Sequence, residues 1–368
     1  MSHASLVRRD RDRLLPADPT TRSVARALYE RVADAPIISP HGHVPVEWLV
    51  EDRPFSDPAS LLITHDHYVT RLLHASGVGL DELGVGGSAA DPRQVWRRFA
   101  ERWPLFAGTA SGYWISESLQ NVLDVTVPLS AATADEAYDR IADQLATPEL
   151  RPRALFERFG IEVLATTDDP LDDLAGHAAL AAEGAVGRVL PTFRPDRYLD
   201  PDAAGFAQNV ERLVAETGSP GTFAGYLAAL EQRRRYFIEH GAVSADHGVE
   251  VPDTLDLAPE EGEGLFARVV SGDADAGERH SFRAHMLLQM ARMSVDDGLV
   301  MTVHAGVVRN HSTQTFRRFG PDSGHDIPRR TDFVGGLRPL LERFGLERDL
   351  HLVCLLYTSD AADDTPCV

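Results

Sequence analysis

The stretch Pro36-Ile37-Ile38-Ser39-Pro40-His41-Gly42-His43 decides how the remainder of the chain is read. Ile37 and Ile38 make an apolar run of the kind that forms a buried strand, and the run ends in two histidines separated by one glycine. On extended backbone, side chains at i and i+2 leave on the same side, so His41 and His43 are expected to face a common space. Gly42 has no Cβ and lets the backbone bend or another group come close. Two neutral imidazoles so placed suit a borderline divalent cation. A histidine pair at the end of an early strand is one way in which a metal-dependent (β/α) barrel begins.

The bulk properties narrow the classes of function. With 368 residues and 43% hydrophobic side chains the chain can build a substantial core. Its 36 Lys and Arg against 56 Asp and Glu give a net charge of -20. That balance argues against a nucleic-acid surface and against docking on anionic membranes. An anionic small substrate would need locally placed arginines. The only two cysteines, Cys354 and Cys367, lie near the C-terminus, so a disulfide framework is not expected and a reducing cytoplasm is the natural setting. No stretch is apolar enough to span a membrane, and the charged run Arg8 to Arg13 lacks the apolar segment of a secretory signal.

Going outward from the histidine pair, Val24, Leu28, Tyr29 and Val32 recur at helical spacing ahead of the strand. After it come a short helix near Trp48 and a helix from Val69 to Ala75. His65 and His67 repeat the His-x-His spacing, but beside a helix residues two apart diverge by roughly 200° and do not share an ion. The aromatic residues Trp96, Phe99, Trp103, Phe106, Tyr113 and Trp114 are expected to pack a core or a lid.

From Ile161 the pattern becomes regular. Strand-like segments at 161–170, 187–196, 242–248, 298–306 and 349–353 have apolar bodies and polar C-terminal ends, with helical segments between them. This is the arrangement of a parallel barrel, whose chemistry gathers at the C-terminal ends of its strands. The expected architecture is a single α/β domain over residues 1–353, an elaborated (β/α)8 TIM-like barrel with helical insertions at about 50–155 and 205–240. The segment at 349–353 is expected to be strand 7, with His247 and His304 at the ends of strands 5 and 6 and the last strand and helix of the barrel missing. Residues 354–368 read as a tail foreign to the barrel.

Taken together, His41-Gly42-His43, His67-Tyr68 with Arg71, Thr166-Thr167-Asp168-Asp169-Pro170, Leu190-Pro191-Thr192-Phe193-Arg194-Pro195-Asp196, Asp246-His247-Gly248 and His304-Ala305-Gly306-Val307-Val308-Arg309-Asn310 resemble the uronate (glucuronate) isomerases. That family is a divergent branch of the amidohydrolase superfamily. The resemblance runs from about residue 12 to about residue 350, and the stretch 315–324 shares it. It implies an intramolecular oxidoreductase of hexuronate catabolism that converts D-glucuronate to D-fructuronate and D-galacturonate to D-tagaturonate. It implies one divalent ion, often zinc, held by His41 and His43. The family's further aspartate ligand from the eighth strand has no visible counterpart. Tyr68 and His67 match its proton-handling pair.

Moving hydrogen between carbon 2 and carbon 1 of a sugar acid requires a base, an electrophile at the carbonyl oxygen and a group that grips the carboxylate. Arg309 and Arg194 suit the last task, because a guanidinium offers a bidentate fork. His247, His304 and Asp168 are expected to line the pocket and meet sugar oxygens, although Asp168-Asp169-Pro170 equally suits capping of the following helix. The partners expected are a small hexuronate and neither nucleic acid nor membrane, with a homo-oligomer allowed. Two alternatives accompany this reading: a metal-dependent hydrolase on the same barrel, and an inactive fragment of the isomerase.

Overall fold

A computed structural model describes residues 12–184 and 187–355. The chain divides into two compact units, each with its own hydrophobic core. The first comprises residues 1–37, 51–162 and 310–326, and the second comprises 38–50, 163–309 and 327–368.

The first unit is helical. Its helix Pro92–Arg102 starts at Pro92 with the Asp91 carboxylate accepting from the Gln94 N–H, a start that fills otherwise orphaned donors. The spacing of Val95, Trp96, Phe99 and Ala100 puts these side chains on one buried face, where they meet Ile141 and Leu145 of the helix Ala134–Leu145 in a shared core. Trp96 buries its ring and donates Nε1–H to the Ala134 carbonyl at 2.9 Å, which removes the cost of an unpaired indole. Phe99 and Phe106 are buried in the same core, while Trp114 is exposed. The helix Thr313–Phe319 belongs to this unit as well.

The second unit carries the sheet. Its strands are β1 (Ile37–Ser39, whose first residue falls in the other unit), β2 (Ile161–Ala165, whose first two residues do so as well), β3 (Arg188–Leu190), β4 (Ser244–Val249), β5 (Val300–Ala305) and, after the two-residue strands β6 (Val307–Val308) and β7 (Ile327–Pro328), β8 (Leu352–Cys354). One sheet has the order β1-β2-β3 and another β4-β5-β8. Phe193 joins them through single bridges to Asp168 and Ala245. The pairs β2/β3, β4/β5 and β5/β8 are parallel, with Asp246 opposite Thr302, Gly248 opposite His304 and Val303 opposite Cys354. Parallel strands met in chain order, with helices between them, make this unit α/β.

The helices Phe206–Thr217, Phe223–Glu239 and Ala276–Asp297 bury Leu213, Tyr226, Phe237, Met286 and Met290 against Phe193, Met301 and Val303 of the sheet. Residues 205–240 thus pack in the same core as the strands. The wholly buried Arg234 is paired with Asp297, whose oxygens accept from Nε at 2.6 Å and Nη2 at 2.9 Å, as a buried cation requires.

Several expectations change. Ile37 and Ile38 are 46% and 62% exposed. Among the described residues β1 pairs with β2 alone, so the apolar run forms an edge strand. Among the described residues His247 and His304 lie on the fourth and fifth strands of the two three-stranded sheets, and the segment taken as strand 7 is the sixth, Leu352–Cys354. Cys354 continues that strand and Leu355 is buried, whereas the remainder of the expected tail, with Cys367, lies outside the described residues. Val307–Val308 and Ile327–Pro328 form an antiparallel pair that the sequence reading did not contain. The helix between β2 and β3 runs Ala175–Glu183, and Asp169 and Asp173 hold the turn before it by accepting from the Leu171 and Ala175 N–H groups.

Candidate active site

The histidine pair is brought together. His41 and His43 follow β1 with ring centroids 5.0 Å apart, and their Nε2 atoms approach to 3.2 Å. Gly42 permits the turn between them: a Cβ there would lie 3.3 Å from the Ala165 carbonyl oxygen at the end of β2. The Gly42 carbonyl accepts from Thr167 Oγ1 at 2.8 Å, which ties the loop to the same strand end.

Beyond His41 lies Asp246 of β4, which is wholly buried. Its Oδ2 is 3.6 Å from His41 Nδ1, 3.0 Å from His304 Nε2 and 3.5 Å from Arg194 Nη1, and its Oδ1 accepts from Thr302 Oγ1 at 2.5 Å. Burial alone would raise this carboxyl's pKa. The His304 hydrogen bond and the charges of His304, Arg194 and His41 outweigh it and hold the group well below the usual carboxylate range. Arg194 also donates Nε–H to Asp196 at 2.8 Å. Gly248 makes room for this assembly, since a Cβ there would sit 2.7 Å from Asp196 Oδ2, 3.0 Å from His304 Cε1 and 3.1 Å from Arg194 Nη2.

The strand alternation that directs Asp246 and Gly248 toward this cluster turns His247 the other way. His247 is wholly buried, its Nδ1 is 2.9 Å from the Thr302 carbonyl and its Nε2 has no hydrogen-bond partner. Burial pushes its pKa down to about 4, so the ring is neutral. The structure therefore does not bring His247 to the cluster that holds His304.

Asp168 has a second setting. Its Oδ2 accepts from Thr166 Oγ1 at 2.7 Å and from the Thr192 N–H at 3.0 Å, which joins the ends of β2 and β3. Thr166 Oγ1 is in turn 2.8 Å from Nε2 of the buried His177. Burial pushes Asp168 up to about 6 and His177 down to about 4. A cavity of about 320 Å³ lies here, lined by His43, Glu47, Thr166, Thr167, Asp168, Asp172, Asp173 and His177 among others. A larger one of about 480 Å³, against Phe223, His285 and Arg343, contains none of the expected site residues.

His67 and Tyr68 belong to the other compact unit. They open the helix His67–Ala75, whose first turn is capped by Asp66 accepting from the Tyr68 N–H at 2.8 Å. Their rings lie 4.4 Å apart, and the Arg71 guanidinium is 5.1 Å from the Tyr68 ring centroid. The loop at Gly324 passes close by, since a Cβ there would lie 2.6 Å from Arg71 Cβ. Arg309 occupies an exposed turn immediately after β6.

Whether these residues suit a divalent ion can be judged from the nitrogens. Two ligands at about 2.0–2.1 Å from a tetrahedral zinc stand about 3.3 Å apart, close to the separation of the two Nε2 atoms. The pair fits one edge of such a site. Among the described residues no group of three or more His, Cys, Asp or Glu is arranged to hold a metal.

Residues 19–367 match the model of the family described as glucuronate isomerase. The chain belongs to that family. It is 53% identical over 350 residues to a uronate isomerase of Rhizorhabdus wittichii, covering 95% of this chain and 74% of that protein. It is 49% identical to one from Corynebacterium efficiens, covering 95% of this chain and 75% of the relative. The fold matches the crystal structure of glucuronate isomerase from Caulobacter crescentus with a TM-score of 0.90 at 44% identity, over 93% of this chain and 73% of the other. The chain thus spans about three quarters of the length of these members of the family.

The residue that the sequence reading missed is Asp246. It lies within Asp246-His247-Gly248, where residue type alone points to the histidine. Alternation alone puts Asp246 and Gly248 on one side and His247 on the other; which side meets His41 depends on the neighbouring strands.

Proposed function

We propose that this chain interconverts a hexuronate aldose and its ketose, D-glucuronate and D-fructuronate foremost, as the names of its relatives indicate. The observation that carries this reading is the convergence of His41 and His43 beside Asp246, His304 and Arg194 at the strand ends of a uronate isomerase family chain.

His41 and His43 would hold one divalent ion, for which zinc suits the two imidazole nitrogens. Such an ion supplies Lewis acidity toward a carbonyl or hydroxyl oxygen. The chain's own residues do the rest. Arg194, half-buried and steadied by Asp196 and Asp246, presents a guanidinium to the sugar acid's carboxylate or hydroxyls. Arg309 is the second clamp in this proposal. His304, held by Asp246, meets a sugar oxygen from the strand end. Tyr68 and His67 move the proton between carbon 2 and carbon 1, the role the family resemblance gives them. Asp168 and His247 serve the reaction less directly, Asp168 by joining β2 to β3 and His247 from within the core behind the cluster. The galacturonate to tagaturonate conversion belongs to the same proposal, as does a cytoplasmic setting. No helix among the described residues is long and apolar enough to cross a membrane.

The test is direct. The purified chain, supplied with zinc and D-glucuronate, is expected to form D-fructuronate, followed by proton NMR of the anomeric and ketose signals. No conversion with either uronate, under conditions where the chain is folded by circular dichroism, would overturn the reading for this chain.

A further inference from the structure

An imidazole that binds a metal through one nitrogen must keep its proton on the other, and a neutral ring in water favours neither arrangement strongly enough to fix it. The two ring nitrogens of His41 meet different neighbours. Its Nε2 points at His43 Nε2, 3.2 Å away, while its Nδ1 faces Oδ2 of Asp246 at 3.6 Å. Asp246 is itself anchored. Thr302 Oγ1 donates to its Oδ1 at 2.5 Å, and His304 Nε2 stands 3.0 Å from Oδ2.

We infer that Asp246 is a positioning residue: it keeps the His41 proton on Nδ1 and orients the ring so that the Nε2 lone pair is presented to the divalent ion. The inference rests on the reading of His41 and His43 as ligands. A carboxylate behind a metal-binding imidazole commonly fixes its tautomer and ring orientation, and loss of such a partner typically weakens metal binding 10- to 100-fold.

Two features separate this role from direct ligation by Asp246. The Arg194 guanidinium lies 3.5 Å from the same Oδ2, so a cation bound there would face a fixed positive charge. The side of His41 that Asp246 approaches is Nδ1, whereas the nitrogen shared with His43 is Nε2. Gly248 contributes by omission, since a methyl group there would crowd His304 and Arg194, the two other groups against Oδ2.

The experiment uses the full chain and two readouts independent of turnover. Long-range proton–nitrogen NMR of the histidine rings, assigned with His41→Ala, is expected to show His41 as the Nδ1–H tautomer. Zinc titration against a chromophoric chelator is expected to show 10- to 100-fold weaker binding in Asp246→Asn. Thr302→Val, which removes one anchor of the carboxylate, should cost about threefold to tenfold. His41→Ala and His43→Ala should each lose more than Asp246→Asn. An Nε2–H tautomer at His41 overturns the inference. So does zinc affinity in Asp246→Asn equal to that of the parent chain while His41→Ala loses it, and in that case the ligand reading survives. Undiminished zinc binding in both His41→Ala and His43→Ala removes the ligand reading and the inference together. Should Asp246→Asn fail to fold, the tautomer of the parent chain and the Thr302→Val affinity decide.

Discussion

Asp168 and Asp246 invite comparison, because both are buried aspartates at the C-terminal ends of parallel strands in the same unit, yet their charges are pushed in opposite directions. Asp168 is surrounded by a hydroxyl, a backbone N–H and a histidine that burial keeps neutral, and its pKa is pushed up to about 6. Asp246 is met by His304, Arg194 and His41, and its pKa falls below the ordinary range despite deeper burial. Desolvation acts on both in the same sense, so the partners decide. One carboxylate joins two strands, and the other is the centre of an ionic cluster.

The widest separation between the two settings is expected in turnover. His41→Ala or His43→Ala, on the Asp246 side, should lower isomerisation of D-glucuronate by orders of magnitude. Asp168→Asn, which keeps an oxygen to accept from Thr166 and Thr192, should change it by less than about tenfold. Full activity in both histidine variants would remove the metal assignment.

Stability should divide the pair next. Asp246→Ala leaves Arg194 and His304 without their shared carboxylate and is expected to cost about 3–5 kcal/mol. Asp168→Ala strands the Thr192 N–H and should cost about 1–3 kcal/mol. Urea midpoints followed by circular dichroism would measure both, and equal losses would mean that the charge partners of Asp246 count for little.

The dependence on pH sharpens the contrast further. His177 and His247 take up a proton near 6.5 in the unfolded chain but only at about 4 when folded. As pH falls through that range the unfolded chain binds more protons, and the folded state loses stability. Asp168 opposes them, because its folded carboxyl is protonated at about 6 against 3.8 unfolded. Of these three groups, two against one favour a rise in stability from pH 4 to 6.5, and Asp168→Asn should steepen the profile. A flat profile in that variant would contradict the neutral burial of the histidines. The smallest effect is expected of Thr166→Val, which deletes the hydroxyl between Asp168 and His177 at a cost of about 1–2 kcal/mol by urea unfolding.

Much of this was legible in the residues, and the exceptions have physical causes. The helix Ala276–Asp297 carries a start signal in its residues, since the Asp275 and Glu278 side chains exchange hydrogen bonds with the opposite N–H groups. The family motifs led to His41, His43, Arg194 and His304, which lie together around Asp246. The apolar content of Ile37 and Ile38 could not say that the strand would border the sheet, because burial of a strand depends on neighbours far along the chain. His247 and Asp246 differ by one position and face opposite ways, a distinction that residue type does not carry. Asp168 was read as a sugar contact or a helix cap; its hydrogen bond to the Thr192 N–H depends on the β2/β3 register, which no local pattern reports.

Gly248 imposes a constraint of its own. With Asp196 Oδ2, His304 Cε1 and Arg194 Nη2 standing 2.7, 3.0 and 3.1 Å from where its first side-chain carbon would be, even alanine requires these side-chain ends to give way. Mutational scanning at this site should therefore rank glycine first, with the loss growing as the introduced side chain grows.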